Sequence, residues 1–213
     1  MVASKINSTP IRMMIVDDHP IMRVGIEAIL NSQSNFQVVA QAGTSAEAVQ
    51  LFAAHSPDLT LMDLRLPDRS GVDTIREIRK TSPHAKIIVL TTYEGDEDIH
   101  QALAAGALGY LIKGMPHETL IKALYRVHGG SRFLPNVVSQ TLSSRVPGMH
   151  LSQREQEVLE LLFAGKSNRE IAKLLAIKEA TVKSHVSVIL LRLNVTDRTQ
   201  AVVEGLKRGL VHL

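Results

Sequence analysis

No cysteine occurs among the 213 residues, which removes disulfides, thiolate metal ligation and thiol nucleophiles together. Long apolar runs are missing as well. None approaches the roughly 18 residues needed to cross a bilayer, so no membrane association is expected. The stretch Met1 to Pro10 has one lysine and polar residues but no apolar signal core. Export is therefore not expected, and a cytoplasmic location is. What remains is ample for folding: 45% hydrophobic and 21% charged residues fit a packed chain of one large domain or two small ones.

The formal charge of +3 is unevenly spread. Residues 1–128 carry 12 Lys/Arg against 14 Asp/Glu, a balance of −2, and residues 129–213 carry 12 against 7, a balance of +5. A basic half joined to a mildly acidic half points to nucleic-acid contact by the former. Charge alone is weak evidence and needs a motif beside it.

The pattern alternates strand and helix up to residue 128. Apolar runs near 12–17, 36–41, 58–63, 86–91 and 108–112 read as buried parallel strands. Helical periodicity fills 19–31, 45–55, 71–81, 96–105 and 116–128. Alternation of this kind predicts an α/β flavodoxin-like fold, a five-stranded parallel sheet of order 2-1-3-4-5. From Gly129 to His150 glycine, proline and serine give a linker composition, with a short helix expected after Pro135. From Leu151 onward only helical periods appear, at 152–164, 167–175, 179–193 and 197–208. Three of these open on capping-box sequences, Ser152 with Glu155, Ser167 with Glu170 and Asp197 with Gln200. The third helix has Lys178 at its cap position, and an ammonium cannot accept from a backbone amide.

The strand ends carry the chemistry. Asp17 and Asp18 close Met13-Met14-Ile15-Val16, Asp63 closes Leu59-Thr60-Leu61-Met62, Thr91 closes Ile87-Ile88-Val89-Leu90, and Lys113 follows Tyr110-Leu111-Ile112. Ligands of open α/β sheets bind outside the carboxyl ends of the strands. Three carboxylates, a hydroxyl and an ammonium would meet there. Carboxylate oxygens with a backbone carbonyl and water suit Mg²⁺, and the ammonium suits phosphoryl oxygens. Each residue alone has an ordinary reading: Asp17 or Asp18 as a cap for the helix near Pro20, Lys113 as a solvated charge. All of them in order, each after its own strand-like run, argues for a site.

These stretches carry a resemblance. Residues 12–128, through Val16-Asp17-Asp18-His19-Pro20, Leu61-Met62-Asp63-Leu64-Arg65-Leu66-Pro67 with Gly71, Leu90-Thr91 and Gly109-Tyr110-Leu111-Ile112-Lys113, resemble the CheY-like receiver domain of bacterial two-component response regulators. The resemblance implies that Asp63 is phosphorylated by a sensor histidine kinase. It implies Mg²⁺ held by Asp17, Asp18, Asp63 and the Arg65 carbonyl, and a switch pair of Thr91 and Tyr110. Gly114-Met115-Pro116 departs from the Asp or polar residue that often follows the lysine in related sequences, with little effect expected on phosphorylation.

In the C-terminal half, Asn168 to Leu175 and Glu179 to Leu193 are joined by Ala176-Ile177-Lys178, the spacing of a helix-turn-helix. The expected seam is Ile171, Leu174, Leu175 and Ile177 against Val182, Val186, Ile189 and Leu190. Lys183, Ser184, Ser187 and Arg192 occupy the other side. An ordinary amphipathic helix with a solvated face has the same pattern. Residues 151–208 also resemble a LuxR-type helix-turn-helix domain, through Leu151-Ser152-Gln153-Arg154-Glu155-Gln156-Glu157-Val158-Leu159, Gly165-Lys166-Ser167-Asn168-Arg169-Glu170-Ile171-Ala172, Thr181-Val182-Lys183-Ser184-His185 and Leu193-Asn194-Val195-Thr196-Asp197-Arg198-Thr199-Gln200-Ala201. That resemblance implies Lys183 and Ser184 at base edges, with Thr181, His185 and Arg198 at phosphates or supporting the motif. Ser187 stands where related proteins can carry a longer basic side chain. Lys178 is expected beside a phosphate.

Together the resemblances describe a response regulator of the NarL/FixJ type: a receiver over 12–128, a linker over 129–150 and an all-α four-helix DNA-binding domain over 151–213. The expected partners are a histidine kinase, double-stranded promoter half-sites and a second copy of the chain on activation. A signalling adaptor is a second class of function. A Mg²⁺-dependent phosphatase is a third, against which the chain shows no second acid/base with an obvious place beside Asp63.

Overall fold

The computed structural model describes residues 9–92, 95–143 and 150–212. Residues 144–149 of the expected linker lie outside them. Two compact units make up the chain.

The first unit is built on a sheet of order β2-β1-β3-β4-β5, every pair parallel. Its strands are β1 (Ile11–Val16), β2 (Phe36–Ala42), β3 (Leu59–Met62), β4 (Ile87–Thr91) and β5 (Gly109–Ile112), joined by α1 (Pro20–Asn31), α2 (Ser45–His55), α3 (Gly71–Thr81) and α4 (Asp96–Ala104), with α5 (His117–His128) after β5. This is the order expected from the alternation. The central strands read as continuous apolar runs because helices cover both faces. Ile26 and Leu30 of α1 share one core with Leu120, Ala123, Leu124 and Val127 of α5, packed on Met13, Ile15, Leu61 and Leu111 of the sheet. The register aligns the strand ends: Val16 pairs with Met62, Met62 with Val89, and Thr91 with Ile112. Beyond α5 the chain returns along β5, where Phe133 donates to the Leu108 carbonyl at 2.9 Å. The short helix expected after Pro135 is present as α6 (Asn136–Ser143).

The second unit contains α7 (Gln153–Phe163), α8 (Asn168–Leu174), α9 (Glu179–Leu193) and α10 (Arg198–Lys207). Val158, Leu159, Leu162, Ile171, Val182, Ile189, Leu193 and Ala201 form its core. Two capping boxes close in both directions, Ser152 with Glu155 and Ser167 with Glu170. The third is half a box. Asp197 accepts from the Gln200 amide at 2.9 Å, but the Gln200 side chain reaches one residue further back, to the amide and hydroxyl of Thr196. Leu174 departs from the expected seam: it is the last residue of α8 and is 60% exposed.

Candidate phosphoacceptor site and DNA-recognition helix

The carboxyl ends of β1, β3 and β5 bring Asp17, Asp18, Asp63 and Lys113 to one place, and Thr91 ends β4, the strand between β3 and β5. Asp63 follows β3 and is pinned by its amide, which donates to the Val16 carbonyl at 2.9 Å. The Lys113 amide donates to the Thr91 carbonyl at 2.7 Å, which fixes the lysine beside β4. Its Nζ lies 2.7 Å from Oδ2 of Asp17 and 2.5 Å from Oδ2 of Asp63. Burial works to depress the Lys113 pKa, but the hydrogen bonds and charges of Asp17 and Asp63 outweigh it, and the net shift is upward. The ammonium therefore stays charged between two buried carboxylates.

Neither acid of the Asp17-Asp18 pair caps α1. The N-cap is His19, whose side chain makes no cap hydrogen bond, with Pro20 next to it. Asp17 instead accepts from the His19 amide at 2.9 Å. Oδ1 of Asp18 lies 2.6 Å from Nδ1 of His19 and has no other partner among the described residues. Asp17, Asp18, His19 and Asp63 each bring one ligand atom within 4.8 Å of the others. Three of these four donors are hard oxygens, the chemistry Mg²⁺ prefers.

Two flanking features hold the loops. A Cβ on Gly71 would lie 2.1 Å from the Asp63 carbonyl oxygen, so only glycine lets α3 start this close to the β3 end. Gly114 has φ +95°, a conformation that suits glycine. Thr91 and Tyr110 are fully buried, and the Thr91 hydroxyl has no partner among the described residues. A buried hydroxyl without a partner is costly and marks a group that gains from an arriving acceptor.

In the second unit α8 and α9 meet through a turn in which Ala176 adopts φ +52°. The exposed face of α9 presents Thr181, Lys183, Ser184 and Ser187, with His185 half-buried. Both serine hydroxyls donate to carbonyls one turn back, at 3.1 Å, and keep their lone pairs outward. Lys183 is held loosely, 3.5 Å from Glu179. Lys178 stands at the N-cap of α9 with no side-chain cap hydrogen bond, as its chemistry dictates. Arg198 donates to the Lys166 carbonyl at 2.8 Å and ties the start of α10 to the turn before α8. Arg192 is turned the other way from the expected DNA face: its guanidinium pairs with the buried Glu155 at 2.6 Å.

Two family models match the chain, "Response regulator receiver domain" over residues 13–125 and "Bacterial regulatory proteins, luxR family" over residues 149–204. The chain belongs to the two-component response regulators. This regulator carries a receiver and a LuxR-type helix-turn-helix DNA-binding domain. It is 36% identical over 230 residues to the transcriptional regulatory protein DegU of Brevibacillus brevis, covering 97% of this chain and 98% of that one. It is 38% identical over 203 residues to the nitrate/nitrite response regulator protein NarP of Escherichia coli K12, covering 92% and 94%. Among solved structures it is similar to RcsB of Salmonella enterica serovar Typhimurium bound to a promoter in the presence of a phosphomimetic, with TM-score 0.72, 28% identity and coverage of 92% and 98%.

Two residues beside the regulator's acidic pocket escape a reading of the sequence. His19 was visible only as the neighbour of Asp18, and nothing in the pattern aims its ring at the carboxylates. Arg23, on the first turn of α1, donates to the Asp17 carbonyl at 2.6 Å and so braces the loop from below. No spacing rule announces that contact.

Proposed function

We propose that Asp63 is the phosphoacceptor of this regulator and that its modification controls DNA binding by the helix-turn-helix domain. The observation that carries the reading is the single ammonium of Lys113 shared by Asp17 and Asp63; the Thr91 hydroxyl, at the end of β4, is buried with no partner among the described residues. The domains would be a receiver over 12–128, a linker over 129–150 and a DNA-binding domain over 151–213.

In the transfer, an Asp63 carboxylate oxygen forms the new bond to phosphorus. The bond that breaks is P–N of a kinase phosphohistidine, or P–O of a small acyl phosphate, and its electron pair leaves with the donor. Asp17, Asp18, Asp63 and the Arg65 carbonyl would hold Mg²⁺, whose charge when bound would neutralise the phosphoryl oxygens. Lys113 follows one of those oxygens once Asp63 carries the phosphoryl group. Thr91 then donates its hydroxyl hydrogen to another, which satisfies the atom now lacking a partner. The space it leaves is filled by the Tyr110 ring, and the surface of α4, β5 and α5 changes with it. The same cluster supports slow hydrolysis of the acyl phosphate but no turnover of a separate substrate.

On the DNA side, Lys183 and Ser184 read base edges in the major groove, while Thr181, His185 and Arg198 meet phosphates or support the motif. Ser187 reaches less far than a basic residue would, so readout rests more on Lys183. Two copies on half-sites one duplex turn apart, roughly 34 Å, would complete recognition. Arg192 is left out of the contact set because its charge is spent on Glu155. The test is labelling by acetyl phosphate in Mg²⁺ followed by peptide mapping. Label at Asp63, lost in Asp63→Asn, supports the proposal; undiminished label in that variant refutes it.

A further inference from the structure

Between Glu118 and Glu155 the sequence contains no acidic residue, while Lys122, Arg126, Arg132, Arg145 and Arg154 all fall in that interval. Three of these cations line one cleft. Lys122 and Arg126 project from successive turns of α5, and Arg132 comes from the segment that returns along β5. Phe133, Pro135 and Asn136 complete the walls of a recess of about 440 Å³. All of these residues lie within the first unit, well separated in sequence from Asp63.

None of the three cations has an ion-pair partner among the described residues. The one acid on α5, Glu118, lies 3.5 Å from His117 rather than beside Lys122 one turn on. Like charges one helical turn apart repel, a standing penalty that an anion between them would cancel. Two guanidiniums offer planar, paired donors that match phosphoryl oxygens, and the lysine adds a compact charge. The half-buried Phe133 and Pro135 give the recess an apolar wall as well. Its volume falls in the range of small-molecule sites, roughly 300–1,000 Å³. A concave recess of this size suits a compact ligand better than the backbone of a duplex, which meets cations on open surface.

We propose that this cleft binds a small phosphorylated ligand of the nucleoside di- or triphosphate class. The phosphates lie among Lys122, Arg126 and Arg132, and the base lies against Phe133 and Pro135. Occupancy would join α5 to the segment that follows it, giving a soluble metabolite a hold on the receiver independent of Asp63.

The experiment is calorimetric titration of the full chain with ADP at low salt, with EDTA present so that no metal–nucleotide complex can be drawn to the Asp17, Asp18 and Asp63 cluster. Saturable binding at one site is expected, weakened about tenfold or more by Arg126→Ala and by Arg132→Ala. Inorganic pyrophosphate should compete, but less well than ADP, since it leaves the apolar wall bare. Acetyl phosphate labelling of Asp63 should be unchanged in both variants, which also shows that the receiver is folded. Should either variant lose its helical signal, Lys122→Gln, a change on an exposed side chain, takes its place. The proposal fails if ADP shows no saturable binding, if the substitutions leave affinity unchanged, or if pyrophosphate competes as well as ADP. It also fails if the variants lose only affinity for random-sequence DNA, which would make the cleft a backbone contact.

Discussion

Lys113 Nζ lies 2.5 Å from Oδ2 of Asp63, although fifty residues separate them along the chain, and 2.7 Å from Oδ2 of Asp17. The three side chains are all at least nine-tenths buried. The ammonium is therefore structural before any phosphoryl group arrives, because it offsets two carboxylates that would otherwise repel each other at close range.

Lys113→Met should accordingly destabilise the protein by about 3 kcal/mol in EDTA, the cost of leaving buried charge without its partner. Mg²⁺ should restore more stability to this variant than to the unsubstituted chain, since binding to the folded state alone stabilises it. Urea titrations with and without the metal measure both. Equal gains from Mg²⁺ in the two proteins would mean that the carboxylates are not a shared metal site.

Arg192 is half-buried and serves the second unit's own packing. Its pairing with Glu155, which is also the capping-box acid of α7, links the end of α9 to the start of α7. Arg192→Ala should lower stability by roughly 2–3 kcal/mol, because it leaves a buried carboxylate behind. At a temperature where the variant is fully folded, its affinity for DNA should match that of the unsubstituted protein. A large affinity loss without a stability loss would return Arg192 to the DNA face.

Lys178 carries a local cost that a phosphate would relieve. A residue unable to cap costs about 1 kcal/mol relative to serine, and its charge opposes the positive end of the α9 dipole. Lys178→Ser should raise the melting temperature of the free protein, weaken DNA binding and flatten its salt dependence. A fall in melting temperature would contradict this.

The pH dependence of stability should have a contribution from Glu170. The Ser167 hydroxyl, then the Ser167 amide, hold its carboxyl below the ordinary value of 4.5. A lowered folded pKa means that the stabilisation is complete above about pH 4.5 and is lost as pH falls through the folded value. Glu170→Gln should remove that part of the acid-side slope while changing the melting temperature less at pH 3 than at pH 7. An unaltered slope would show that the box does not persist in solution.

Much of this was legible in the chain because strand ends announce themselves. A run such as Ile87-Ile88-Val89-Leu90 is apolar throughout only when both sheet faces are covered, and the next polar residue then falls at the ligand edge. Capping boxes were readable for a similar reason, since donor and acceptor lie three residues apart. Rotamer choice was not readable. Arg192 sits on a mixed face of α9, and only the position of Glu155 on another helix decides where its guanidinium goes. Gln200 could reach Asp197 or Thr196, and the difference is a torsion rather than a spacing. Phe133 fell in a glycine- and proline-rich stretch whose composition says linker, while its backbone pairs beside β5 because that edge has donors and acceptors to satisfy. Leu174 is the last residue of α8 and lies off the face that Ile171, Ala172 and Leu175 turn to the core.

The most direct measurement is the affinity of the full-length protein for a bound genomic fragment, with and without acetyl phosphate and Mg²⁺, in the unsubstituted chain and in Asp63→Asn. Phosphodonor should tighten binding severalfold in the first and leave the second unchanged. Equal tightening in both, or none in either while Asp63 is labelled, would contradict control of DNA binding through this side chain.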